Sequence, residues 1–219
     1  MIEAVLFDWN DTLVQFTWDD ELLAEGHRAA LGRDDAEFTA RYRELMLGDV
    51  PRRPYVDVLR ELGVDDPDAF IDTEHEVWRP AHAVLGSAQA MLDSLRGRGI
   101  KTGVVANSWP DPARVLRGDV ESSGLAPLLD VTVFSDEVGV AKPYPEIFLH
   151  ALRQLGVDPE NAMFVGDRLE TDVQGAASVG MTTVQALWFN ADDNTAGIEP
   201  DFMAFTPMDV LNAVRRLAL

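Results

Sequence analysis

Short apolar runs rich in β-branched and aromatic residues recur along the chain: "AVLF" from Ala4, "TGVVA" from Thr102, "VTVFS" from Val131, "AMFVG" from Ala162, "TTVQAL" from Thr182 and "DFMAF" from Asp201. The stretches between them carry apolar residues at helical spacing, as in "IFLHALRQL" and "AQAMLDSLR". Strand-length runs alternating with helices predict an α/β core, a parallel sheet covered by helices on both faces. Between Gln15 and Leu85 the alternation stops. There "WDDELLAEGHRAAL", "DAEFTARYRELML", "PYVDVLRELG" and "PDAFIDTEHEVW" read as helices, which predicts a helical subdomain over 15–85 inserted into a core of 1–14 and 86–219.

Local punctuation supports these elements. Asp111–Pro112 and Asp158–Pro159 each pair a capping residue with a proline and predict helix starts. Gly156 and Gly180 follow periodic stretches and are placed to end them. Thr17 with Asp20 resembles a capping box, and "LGDVPRRP" a break between helices. The segment "LGSAQAMLDSLRGRG" predicts a helix that leads the chain back into the second core strand.

Composition narrows the classes. A chain of 219 residues can bury a large core, and the absence of cysteine excludes disulfides, thiolate metal sites and cysteine nucleophiles. No uncharged run reaches membrane-spanning length, so a cytoplasmic protein is expected. A formal charge of −20 argues against nucleic acid and anionic membranes as partners. Small anions stay open, because screening limits distant charge to roughly 8 Å and a local cation or arginine outweighs it.

Several predicted strands end in polar residues: Asp8 after the first, Asn107 and Ser108 after the second, Asp167 after the fourth, with Asp172 just beyond. In open α/β sheets the ligand crevice lies outside such carboxyl ends. Asp8, Asp167 and Asp172 offer the hard oxygen donors that suit Mg²⁺. Lys142 is one of two lysines in the chain, a compact point charge in a loop stiffened by Pro143 and Pro145.

The pieces "FDWNDTL", "VVANS", "VGVAKPYPEIF" and "MFVGDRLETD" together resemble, in order and approximate spacing, the four motifs of the haloacid dehalogenase superfamily. The resemblance covers essentially the whole chain. It implies a Rossmann-like three-layer core, an α-helical cap inserted after the first motif, and Mg²⁺-dependent hydrolysis of a small phosphorylated metabolite through an aspartyl-phosphate. It further implies Asp8 as nucleophile and metal ligand, the Asn10 backbone carbonyl and Asp167 as further ligands, and Asp172 holding the metal's water shell. Lys142 would stabilise the phosphoryl group, and Thr12 would orient the first-motif turn.

Two positions depart from the superfamily pattern. Its phosphatases usually carry an aspartate at Asn10, which protonates the leaving oxygen and then activates water. An amide cannot do this, and losing a general acid–base group costs about 10²- to 10⁴-fold, most for alkyl phosphates with poor leaving groups. Asp11 is a candidate substitute only where a turn re-aims its side chain, since in a continuing strand it would face away from Asn10; otherwise it reads as a turn former. The usual hydroxyl residue of the second motif aligns with Ala106, so Ser108, two residues on, is the candidate replacement for binding phosphate, along with Asn107. These departures keep two other functions in view: a weakened member that binds a phosphorylated ligand, and a haloacid dehalogenase. The retained pair Asp167 and Asp172 argues against the dehalogenase, whose branch does not use Mg²⁺. In the cap, the "PRRPY" loop is a specificity candidate, the remaining arginines read as solvated helix faces, and Trp9 is expected to pack.

Overall fold

The computed structural model describes residues 1–17, 19–47, 54–189 and 197–218. Trp18 and the predicted break around Arg52 and Arg53 lie outside the described residues. In chain order the elements are β1 (Ala4–Phe7), β2 (Val14–Phe16), α1 (Asp20–Leu31), α2 (Ala36–Leu47), α3 (Tyr55–Glu61), α4 (Pro67–Trp78), β3 (His82–Val84), α5 (Ala88–Arg96) and β4 (Lys101–Ala106). They continue with α6 (Ala113–Ser122), β5 (Val131–Phe134), α7 (Ser135–Val138), α8 (Pro145–Leu155), β6 (Ala162–Gly166), α9 (Gln174–Ser178), β7 (Thr182–Ala186), β8 (Phe202–Ala204) and α10 (Pro207–Arg216).

The six predicted strand runs form one sheet in the order β5-β4-β1-β6-β7-β8, every pairing parallel. All four residues of β1 are buried, as a central strand covered on both faces requires. On one face Ile147, Phe148 and Leu152 of α8 pack with Leu6, Val105 and Phe164. Helices α5 and α10 pack together and against β4 and β8 respectively. The short strands β2 and β3 form a separate pair that the hydropathy pattern did not reveal, since three residues are too few to show a period.

The chain divides into two compact units, Met1–Gln15 with Val84–Ser108 and Arg117–Leu219, and Phe16–Ala83 with Trp109–Leu116. The second is built from α1 to α4 around Leu23, Phe38, Leu59, Phe70 and Ile71, and takes in 109–116 through Val115 and Trp109. Its interior also holds a polar chain. His27 contacts Thr39 at 2.8 Å and Glu74 at 3.1 Å, while the Tyr55 hydroxyl donates to Glu74 at 2.7 Å. Burial first, and then the Glu74 charge, holds the Tyr42 and Tyr55 hydroxyls well above the usual phenol range.

Two of the expected helix starts are corrected. The N-cap of α1 is Asp19, which accepts from the Glu21 and Leu22 amides at 2.8 and 3.0 Å; the Thr17 N–H instead donates to Ala81. A carboxylate one residue before the helix reaches its free amides, so the Thr17–Asp20 box does not form. Asp158 precedes only a three-residue 3₁₀ turn, Pro159–Asn161, because β6 begins at once at Ala162. Gly156 closes α8 in the left-handed conformation at φ 64°, as expected.

Tight strand approach fixes one glycine. A Cβ on Gly103 of β4 would stand 2.8 Å from the Val131 carbonyl oxygen and 2.9 Å from Leu6 Cδ2. Gly103→Ala should therefore destabilise the fold by about 1–3 kcal/mol, seen as a lower denaturation midpoint at unchanged m-value.

Candidate active site

Strand order brings the chemistry together. The neighbours of β1 are β4 and β6, with Phe7 opposite both Val104 and Val165, so the residues following three adjacent strands meet at one sheet edge. The Asp8 N–H continues the ladder to the Val165 carbonyl at 2.9 Å. The chain then turns. The Leu13 and Val14 amides both donate to the Trp9 carbonyl at 3.0 Å, and Asp11 adopts the left-handed conformation at φ 55°. The strand does not continue through Asn10 and Asp11, so the two side chains do not alternate between opposite faces there. Aspartate tolerates this conformation better than most residues that carry a Cβ. Trp9 is packed inside at 1% exposure, and Trp188 holds the turn by donating from Nε1 to the Thr12 carbonyl at 2.9 Å.

At the centre Lys142 Nζ lies 2.7 Å from Asp8 Oδ1 and 2.7 Å from Asp172 Oδ1. The Lys142 and Asp172 side chains are 2% and 0% exposed, and that of Asp8 13%. Asp172 sits in a π-helical turn, Leu169–Val173, where its Oδ2 also accepts from the Arg168 N–H at 3.1 Å. Glu137, a carboxylate near Lys142 in sequence, pairs instead with Arg117 at 2.6 Å. Carboxylate oxygens of Asp8, Asp167 and Asp172 lie within 4.8 Å of one another.

So many acids in one buried place shift their own protonation. Burial pushes the Asp8 carboxyl up to about 6, with Lys142 opposing and Asp172 adding to the rise. Burial, then the Asp8 and Asp172 charges, pushes Asp167 up to about 8, with a smaller contribution from Asp11. Burial alone would lower Lys142, but Asp172 and Asp8 outweigh it and hold the ammonium above its ordinary value.

The donor set fits a hard divalent cation. Three carboxylates converge with one ammonium to offset them, and Asn10 Oδ1, Thr12 Oγ1 and Asp167 Oδ1 are buried without a hydrogen-bond partner among the described residues. Buried oxygens left unpaired are costly, and a cation or an ordered ligand is one way to satisfy them.

Asn107 and Ser108 have other partners. Asn107 Oδ1 accepts from the Lys142 N–H at 2.8 Å, and its Nδ2 donates to the Lys142 carbonyl at 3.1 Å. The Ser108 hydroxyl donates to Asp136 at 2.7 Å and its N–H donates to Ser135 Oγ at 2.8 Å. A serine has one hydroxyl proton, so in this arrangement Ser108 has none to offer a phosphate. Two glycines support the site and escaped notice in the sequence. A Cβ on Gly166 would stand 2.5 Å from Asp172 Cβ, and one on Gly175 would stand 3.0 Å from Pro143 Cα. The only signal for Gly166 was its place directly before a strand-end aspartate.

A family model described as haloacid dehalogenase-like hydrolase matches residues 2–180. The chain belongs to that family. It is 32% identical to a glyceraldehyde 3-phosphate phosphatase of Methanopyrus kandleri, in an alignment covering 100% of this chain and 99% of the relative. It is 27% identical to a phosphoglycolate phosphatase of Aquifex aeolicus, over 96% of this chain and 95% of that protein. Among solved structures, a HAD phosphatase from Thermococcus onnurineus superposes with a TM-score of 0.76 at 27% identity, covering 97% of this chain and 98% of that one. The chain is therefore a haloacid dehalogenase-like hydrolase with a parallel six-stranded core.

Adding one methyl at Gly166 must move Asp172, and a displacement of about 1 Å in such a site can cost on the order of 10²-fold. Gly166→Ala is expected to lower hydrolase turnover at least tenfold while the protein still unfolds cooperatively; steady-state kinetics with a circular-dichroism melt checks both.

Proposed function

We propose that this protein is a Mg²⁺-dependent phosphatase of the cytoplasm acting on a small phosphorylated metabolite, with Asp8 as nucleophile. The observation that carries the reading is the buried cluster of Asp8, Lys142, Asp167 and Asp172. Two relatives matched over nearly their whole length, named as a glyceraldehyde 3-phosphate phosphatase and a phosphoglycolate phosphatase, support it. Residues 1–14 and 86–219 would serve as the hydrolase core and 15–85 as its cap.

In this reading an oxygen of Asp8 attacks phosphorus and the bond to the leaving oxygen breaks, giving an aspartyl-phosphate. Water then attacks that phosphorus, releasing inorganic phosphate and restoring the carboxylate. Lys142, already in contact with Asp8, offsets charge on the transferring phosphoryl group. Asp8, Asp167 and the Asn10 backbone carbonyl would hold Mg²⁺, with Asp172 bound to its waters. Held by these residues, the ion would supply positive charge to offset that of the phosphate.

Asn10 narrows the chemistry. Its amide is neither an acid nor a base near neutral pH and cannot protonate a leaving alkoxide, so leaving groups that depart as stable anions, aryl or acyl phosphates, should react best. Wild type is expected to turn over p-nitrophenyl phosphate with Mg²⁺ and to hydrolyse a simple alkyl phosphate at least about 10²-fold more slowly. Asn10→Asp should close most of that gap, and Asp8→Ala should abolish both activities. Phosphate-analogue binding with no turnover of either substrate by wild type or Asn10→Asp would instead favour a binding protein, a reading that Asn10 and the engaged Ser108 hydroxyl keep in play.

Metal binding has its own readout. Mg²⁺ at 100 times its dissociation constant should stabilise the fold by about 2.7 kcal/mol, a rise of roughly 5–10 °C in Tm for a chain of this size. Asp167→Asn should remove most of that rise; an equal rise in the variant would refute the ligand assignment.

A further inference from the structure

We propose that Asn107 is a positioning residue of the reaction, holding the backbone of Lys142 so that its ammonium stands between Asp8 and Asp172. The proposal deepens the phosphatase reading above and rests on it. The Asn107 amide bonds both main-chain groups of Lys142, accepting from the N–H at 2.8 Å and donating to the carbonyl at 3.1 Å. It does for one residue what a neighbouring strand would do.

Lys142 depends on such a clamp. It lies in the turn between α7 and α8, where Pro143 has no N–H to give and the Tyr144 N–H closes back on Ala141 at 3.0 Å. A lysine side chain is long and rich in rotamers, so holding its ammonium against two carboxylates requires a fixed backbone as well. Asn107 can supply that because it directly follows β4, the strand paired with β1, whose end carries Asp8. Gly175 admits Pro143 from another side, where a Cβ would stand 3.0 Å from the Pro143 Cα. With one amide hydrogen committed to the Lys142 carbonyl, the Asn107 side chain has a single hydrogen left to donate to any other partner. The geometry thus assigns to the lysine loop a residue whose place in the motif suggested a phosphate contact.

The test is a double-mutant cycle on the full chain with p-nitrophenyl phosphate and Mg²⁺, combining Asn107→Ala with Lys142→Met. Asn107→Ala is expected to lower kcat about 10- to 100-fold with KM changed less than threefold, and to cost less than threefold when Lys142 is already Met. A loss carried by KM, or one of equal size on both backgrounds, overturns the clamp and makes Asn107 a substrate ligand. Asn107→Asp, which keeps the acceptor for the Lys142 N–H, enters the same cycle and carries the test should the alanine variant not fold. Independently of activity, hydrogen exchange of the Lys142 amide, followed by NMR in the metal-free protein, should quicken at least tenfold in Asn107→Ala; unchanged exchange overturns the proposal. A wild type without Mg²⁺-dependent turnover refutes the phosphatase reading alone, and the exchange result then still decides the clamp.

Discussion

One buried ammonium between two carboxylates governs the architecture of this site. Burying three acids within 4.8 Å of one another is unfavourable without countercharge, and Lys142 supplies what the polypeptide itself can. The lysine must arrive with its backbone satisfied and its ammonium between Asp8 and Asp172. The Asn107 amide, the proline after the lysine and the missing side chain at Gly175 all serve that arrival. On the other side, Gly166 leaves room for Asp172, and the Arg168 amide holds the second carboxylate oxygen.

The parallel sheet makes this convergence possible. With β1 flanked by β4 and β6, all pointing the same way, the residues after three separate strands share one edge although they are far apart in sequence. Parallel pairing also buries these strands on both faces, so β1 and β6 are wholly apolar and β4 is apolar after Lys101 and Thr102, with the polar residue coming directly after each strand. The change from apolar to charged at Asp8 and Asp167 is the trace that this topology leaves in the sequence.

The helical unit uses charge differently. Some of its surface arginines pair locally, Arg28 with Asp34 and Arg79 with Glu76, while Arg43 reaches Asp20 of α1 and Arg114 reaches Asp68 and Asp72 of α4. His27, Tyr42 and Tyr55, the same residue types that often bind anions, are turned inward and joined to Glu74 and Thr39. Composition alone does not separate these roles, because the difference lies in which way a helix face points once the helices pack.

The sequence by itself determined the six strands, the helical insertion, the family and the convergence of Asp8, Lys142, Asp167 and Asp172. The strands and helices follow from local periodicity, the aspartates from residue types at strand ends, and the family and the place of Lys142 from the resemblance of four short motifs. Only the tertiary structure decided what Asn107 and Ser108 bond, since their partners Lys142 and Asp136 are distant in sequence and no short-range pattern encodes them. It also decided the turn after Asp8, where three amides gather on the Trp9 carbonyl and Asp11 is driven to positive φ. It placed the N-cap of α1 at Asp19, a choice between neighbouring polar residues that depends on which one reaches the free amides. Apolar periodicity is a short-range property that a sequence displays openly, whereas hydrogen-bond partners across a sheet end are fixed only when the strands are laid side by side.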